Sequence, residues 1–371
     1  MFVISFIAVS FFLVTPAFAK HKLKGQIVSH QFNIYGAPAA KAVAISPDGS
    51  EIWTALLMNK TQGVSVFDAL TGAKITDINL NNGGGVEIVF SKDGTKAYVS
   101  QMETARVFEI DTTEKKILRV FNTKSNWTKV VEISPDGKKL YASNWLGNNV
   151  SEFDLESGKL IRNIKTVKTP RGTYLTSDGM YMYVAGFDSG EIQKINLKDD
   201  TRKIIFKNKG AMRSFAVDEE RGVLYISDMA WNTIWKIDMA NDTVSRFART
   251  DSHPNTIALS PDKKVLYVSS RGHNFSPTNY YVPGPDYGSV VLYDTTNGKI
   301  LDAIVGGNQP TALDISDDGT LLAFSDFLDA RIQVYKIPTY DELLKGNGGR
   351  GLIYKKELIK KNFVAIKNTA N

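Results

Sequence analysis

The chain contains no cysteine in 371 residues and only four histidines. The missing cysteine excludes disulfides, thiolate metal sites and covalently attached haem, which needs Cys-x-x-Cys-His. Four histidines leave little material for an imidazole metal centre. Enzymatic signatures are also missing. There is no Gly-x-Ser-x-Gly elbow, no His-Glu-x-x-His and no phosphate-binding Gly-Lys-Ser/Thr. No cofactor and no metal is therefore expected from the sequence.

What the chain does contain is one phrase, returned seven times. It reads Ser46-Pro47-Asp48-Gly49, Ser91-Lys92-Asp93-Gly94, Ser134-Pro135-Asp136-Gly137 and Thr176-Ser177-Asp178-Gly179. It then degrades to Val217-Asp218-Glu219-Glu220-Arg221-Gly222, recovers as Ser260-Pro261-Asp262-Lys263 and ends as Ser316-Asp317-Asp318-Gly319. The spacings are 45, 43, 42, 41, 43 and 56 residues. Each phrase is a turn: Pro fixes one φ, and Gly accepts a positive one. Around it lie four short runs with period-two patterning, such as Lys129–Ile133, Leu140–Ser143, Val150–Asp154 and Lys159–Ile164. A period in the low forties built of strands predicts an all-β fold, a seven-bladed β-propeller of four-stranded antiparallel blades. Helix is expected only near Tyr340–Leu344. The segment 25–34 has the pattern of a fourth strand and is predicted to close the ring with the last unit, with 351–359 as the competing candidate.

Residues 1–19 are almost wholly apolar and end in Thr15-Pro16-Ala17-Phe18-Ala19, a small-x-small cleavage pattern before Lys20. They read as a signal peptide, although the usual Lys or Arg near Met1 is missing, and a retained anchor is the alternative. A single propeller domain, 20–371, follows. A cysteine-free exported chain suits the periplasm or cell surface of a bacterium.

The net charge of +6 is unevenly spread. Lys20, Lys22 and Lys24 carry +3 and the tail 350–371 carries +5, which leaves residues 25–349 at −2. Basic ends without a basic groove do not suit nucleic acid. They fit solvated termini, or peripheral contact of the basic tail with an anionic surface. A monomer is expected.

Phrases such as Pro135-Asp136-Gly137-Lys138-Lys139-Leu140-Tyr141-Ala142-Ser143-Asn144, followed by Asn149-Val150-Ser151-Glu152-Phe153-Asp154, resemble the YVTN-family propeller repeat. That resemblance spans about residues 36–337 and implies the fold more than a function. A second, local resemblance runs from His253-Pro254-Asn255 through Ser270-Arg271-Gly272-His273-Asn274. It is similar to a segment of the seven-bladed lactonase family, and it implies that His253, Arg271 and His273 bind and polarise a lactone.

Read as a propeller, the residues four or five before each turn phrase face one mouth of the central channel: Lys41, Glu87, Lys129, Arg171, Arg213, Asn255 and Thr311. Loops between second and third strands add Trp145, Asp228, Trp231, Arg271 and His273. Arginines beside aromatic rings suit a carboxylate, phosphate or sugar acid, because the guanidinium forks onto two oxygens while rings cover an apolar face. Candidate ligand-binding residues are thus Lys129, Arg171, Arg213, Arg271, His273, Trp145, Trp231 and Asp228. The 271–288 loop, enlarged and rich in Tyr, Pro and Gly, lies beside them. The leading expectation is a non-catalytic exported propeller that binds an anionic or polar small molecule, or a protein partner, at the channel mouth. The alternative is a lactonase-like hydrolase acting on a sugar-acid lactone.

Overall fold

A computed structural model describes residues 25–57, 62–273 and 281–345, together with Leu23 and Asn279. Among these residues the chain forms seven four-stranded antiparallel sheets and one short helix, Tyr340–Leu344. In six sheets the strands follow chain order from the inside outward. The inner strands are Ala40–Ile45, Ile88–Phe90, Thr128–Ile133, Pro170–Leu175, Met212–Asp218, Pro254–Leu259 and Pro310–Ile315. Neighbouring inner strands touch all round the ring, the first also against the last.

The turn phrase builds itself from its own side chains. In the first unit the Ser46 hydroxyl donates to Asp48, and it accepts the Glu51 N–H at 2.9 Å. Asp48 in turn accepts the Ser50 N–H at 3.0 Å. The same bonds recur at Ser134 with Asp136, Thr176 with Asp178, Ser260 with Asp262 and Ser316 with Asp318. A serine hydroxyl thus fixes the first pair of the hairpin, and the register follows from it.

Between blades the packing is apolar and aromatic. Tyr98 and Phe121 of the second blade meet Val131, Leu140 and Phe153 of the third, with the two phenylalanine rings 5.3 Å apart and edge to face. Each such buried ring contributes about 1.5–3 kcal/mol by transfer from water. Because every sheet has two faces to cover, the blades hold together only as a closed ring.

Closure comes from the front of the chain. Ser29–Tyr35 pairs antiparallel with Arg331–Lys336, the third strand of the last blade, from Ser29 opposite Lys336 to Tyr35 opposite Arg331. Buried Asp302, from the neighbouring blade, accepts the N–H groups of Ile27 and Val28 at 2.8 and 2.9 Å. The competing segment 351–359, the apolar residues 1–19 and the basic tail 350–371 lie outside the described residues.

The inner strands share a defect that matters for the site. In six of the seven blades the register between inner and second strand shifts once: between Ala40 and Ala42, Thr128 and Val131, Pro170 and Thr173, Met212 and Phe215, Pro254 and Ile257, and Pro310 and Leu313. Each interval contains one of Lys41, Lys129, Arg171, Arg213, Asn255 and Thr311. A β-bulge leaves a residue out of the pairing and re-aims its side chain.

Candidate functional site

The bulges bring a group of cations together at one end of the ring. Lys41, Lys129, Arg171 and Arg213 are each buried to within 8% of full burial, and Arg271 joins them at 5% exposure. Each of Arg213, Arg271, Arg171 and Lys129 acts on Lys41 electrostatically, so the five lie within one field. Burial, and then these neighbours, hold the Lys41 ammonium well below the ordinary lysine value. Burial pushes Lys129 down to about 7, assisted by Arg171 and Arg213 and opposed by Glu103. Glu87 is set among them. Its carboxylate lies 3.8 Å from Arg171, and burial raises its pKa while Arg171, Arg213 and Lys41 oppose the rise. Asn255, fully buried at the equivalent position of the sixth blade, has no protein partner for either amide atom among the described residues.

A second ring stands beside the cations. The residue that directly follows each second strand is Leu57, Met102, Trp145, Phe187, Met229, Arg271 or Phe327. In five blades its N–H is held in the same way: Leu57 by the Ala39 carbonyl, Trp145 by Trp127, Phe187 by Thr169, Met229 by Ala211 and Phe327 by Gln309. Arg271 follows the pattern through the His253 carbonyl at 3.1 Å. Six of these seven side chains are apolar, so they place a hydrophobic collar next to the charges. The Lys129 Nζ sits 5.2 Å from the Trp145 ring centroid and 5.3 Å from Trp127, and it donates to the Met102 sulfur at 2.8 Å. Trp145 packs on Phe187 at 4.8 Å. Lys41 lies 5.4 Å from the Phe327 ring, which touches Tyr281 at 5.8 Å.

Of the residues singled out in the sequence, Lys129, Arg171, Arg213, Arg271 and Trp145 converge here. Asp228 is engaged elsewhere. Its carboxylate accepts from Ala211 N–H at 2.9 Å, Asn208 at 2.8 Å and the Trp235 indole at 3.0 Å, which clasps the fifth blade's own loops. Trp231 is half-exposed and donates its indole N–H to the Asn208 carbonyl. His273 stands at the rim, its ring edge to face with His253 at 6.1 Å. The His253 Nδ1 donates to the Gly272 carbonyl at 2.8 Å, and burial lowers its pKa, so the ring is neutral at physiological pH.

Sequence reasoning passed over Ser252, Asp286 and Met102. Met102 follows from the equivalence of second-strand ends, which the repeat register supplies. Ser252 and Asp286 carry no spacing signal, because the fold alone brings them to His273. A surface cleft at the opposite end, between the Asp93 and Asp136 turns, contains no part of the cation group.

With the geometry in place, comparison with known proteins adds a family. Residues 37–224 match the model of the family described as "Lactonase, 7-bladed beta-propeller". The matched stretch stops short of His253, Arg271 and His273. Antigen Lp49 of Leptospira interrogans serogroup Icterohaemorrhagiae serovar copenhageni (strain Fiocruz L1-130) is 33% identical over 260 residues, which is 68% of this chain. The match spans 57% of that relative's length. The bladed architecture and the matched half of the chain agree, and this protein belongs to the seven-bladed β-propeller lactonase family.

Proposed function

We propose that this protein is an exported propeller that binds a small anion at the channel mouth, between the cations Lys41, Lys129, Arg171, Arg213 and Arg271 and the collar formed by Trp145, Phe187 and Phe327. One observation carries the reading. Five basic side chains are buried together, with Glu87 3.8 Å from Arg171 and Glu103 acting on Lys129, although residues 25–349 carry net −2. Gathering like charges in a desolvated site costs stability, and an anion with two or more oxygens offsets that cost. The aromatic collar favours a ligand with an apolar or sugar-like face. A charge-assisted pair in such a site contributes about 1.5–3 kcal/mol. Arg171→Ala or Arg213→Ala should therefore weaken binding about tenfold or more.

The test is titration of the full chain with sugar acids, sugar phosphates, dicarboxylates and short acidic peptides, followed by tryptophan emission and calorimetry. Binding that Arg171→Ala and Arg213→Ala weaken supports the proposal. Unchanged emission and no heat up to millimolar concentration would overturn it and leave this face as a docking surface for a protein.

Family membership favours a second reading, hydrolysis of a sugar-acid lactone at the same mouth. Arg271 and the two rim histidines, His253 and His273, are the groups beside which a lactone carbonyl would be polarised. Lactone turnover that Arg271→Ala abolishes supports it; no turnover across a panel of five- and six-membered aldonolactones removes it.

A further inference from the structure

The rim of the sixth blade holds a group that neither the channel nor the family match accounts for. The Ser252 Oγ lies 3.1 Å from His273 Nε2, and His273 Nδ1 lies 3.1 Å from the Asp286 carboxylate. The three residues come from three different places: the turn before the inner strand, the end of the second strand, and the far side of the enlarged loop. We infer that Ser252, His273 and Asp286 form a nucleophile–base–acid triad that cleaves an ester or lactone bond in an acid-bearing substrate. The inference deepens the hydrolase reading, and it names a nucleophile that the reading lacks.

The bonding fixes the roles. Asp286 is acceptor only when ionised, so His273 Nδ1 carries the proton toward it and Nε2 presents a lone pair toward Ser252. The other Asp286 oxygen accepts the His273 backbone N–H at 2.7 Å, which prevents the carboxylate from swinging away. Gly272 makes that approach feasible. Its φ is +78°, and a Cβ there would stand 3.0 Å from both the Asp286 carbonyl and its Oδ1. Ser252 is held from its other side, by its own N–H to Asp251 at 2.8 Å, while Asp251 accepts the Ser289 hydroxyl at 2.7 Å.

Burial follows the same division of labour. Ser252 and Asp286 are buried, at 8% and 4% exposure, and the His273 ring between them is open to solvent. Two adjacent backbone bonds, Arg271 N–H to His253 and Gly272 N–H to Ser252, both at 3.1 Å, tie the guanidinium-bearing residue to the hydroxyl-bearing one. Arg271 belongs to the cation group, so a substrate whose acid group is held there brings its acyl end toward this rim.

The reaction balances without any further reagent. Ser252 Oγ bonds to the acyl carbon as its proton passes to His273 Nε2. The C–O bond to the alcohol then breaks, and the alkoxide takes the proton from His273. Water, deprotonated by the same imidazole, releases the acid and restores Ser252. In a lactone the alcohol and acid remain in one molecule.

A fluorophosphonate probe tests the nucleophile on the full chain, because attack on phosphorus expels fluoride and leaves a stable adduct. The expected result is one phosphonyl group, mapped to the peptide that contains Ser252 and absent from Ser252→Ala. Hydrolysis of an anionic 4-nitrophenyl hemiester of glutaric acid should fall by a factor on the order of 10³ or more in Ser252→Ala and His273→Gln. Asp286→Asn, which permits the wrong tautomer, should lose on the order of 10²–10⁴. Anion binding followed by tryptophan emission should survive Ser252→Ala, so failure of the triad and failure of the anion site are told apart. No adduct on the unmodified chain overturns the inference without any variant having to fold. Lactone turnover that persists in Ser252→Ala overturns it while leaving the hydrolase reading intact.

Discussion

Lys129 Nζ lies 5.2 Å from the centroid of the Trp145 ring, so the protonation state of a buried amine is coupled to an indole that reports it. A cation over the ring face is stabilised by the aromatic quadrupole, whereas a neutral amine is not. The amine titrates near 7, because burial and the neighbouring arginines disfavour its charge.

The first prediction uses that coupling. Tryptophan emission should change with a midpoint near pH 7, and the step should vanish in Lys129→Met. A bound anion favours the ammonium, so it should move the midpoint upward, and affinity should fall as pH rises through the window above 7. The stability effect has a definite sign. Unfolded lysine keeps its proton up to about 10.4, while the folded form loses it near 7. Between those values the unfolded chain binds more protons, and the folded state gains stability as pH rises. A wild-type melting temperature that falls relative to Lys129→Met between pH 7 and 9 would contradict this assignment.

Closure of the ring supplies the second prediction. Asp302 anchors the approach to the closing strand through Ile27 and Val28. Asp302→Ala takes that acceptor from the buried Val28 N–H and the part-buried Ile27 N–H, at a cost of about 1–3 kcal/mol for the buried donor. The expected outcome is a lower melting temperature with a cooperative transition retained. Removing residues up to Tyr35 should do more, because it exposes the edge at Arg331–Lys336 and favours association between chains. Analytical ultracentrifugation of both variants checks the difference. An edge that stays monomeric without Ser29–Tyr35 would mean that another segment covers it.

The fold was legible because its signal is repeated: a Ser-x-Asp-Gly turn whose own hydroxyl bonds set the register occurs often enough to survive one degenerate copy at Val217–Gly222. The cations were legible for the same reason, since Lys129, Arg171 and Arg213 occupy one repeat position. What stayed hidden depends on contacts that no period encodes. Asp228 and Trp231 share the loop numbering of the site, yet their polar atoms satisfy the fifth blade's own backbone and side chains. Ser252 and Asp286 are 34 residues apart in sequence and meet only through His273.

The last prediction concerns how closely the arginine-bearing strands approach. Gly172 follows Arg171 in the bulge of the fourth blade, and a Cβ there would run into the backbone carbonyl of Arg213 in the fifth. That carbonyl belongs to a neighbouring inner strand and cannot swing aside as a side chain would. Gly172→Ala must therefore push the two strands apart, an overpacking cost of about 1–3 kcal/mol. Gly137→Ala is the matched control. Its φ is +70° with nothing within 4 Å of the added carbon, so it stores local strain of about 1–2 kcal/mol at the far end of the ring. Both variants should melt earlier by similar amounts. Only Gly172→Ala should also weaken anion binding, because it alone changes the separation of Arg171 and Arg213. Equal affinity in the two variants would show that the spacing of these two arginines does not set recognition.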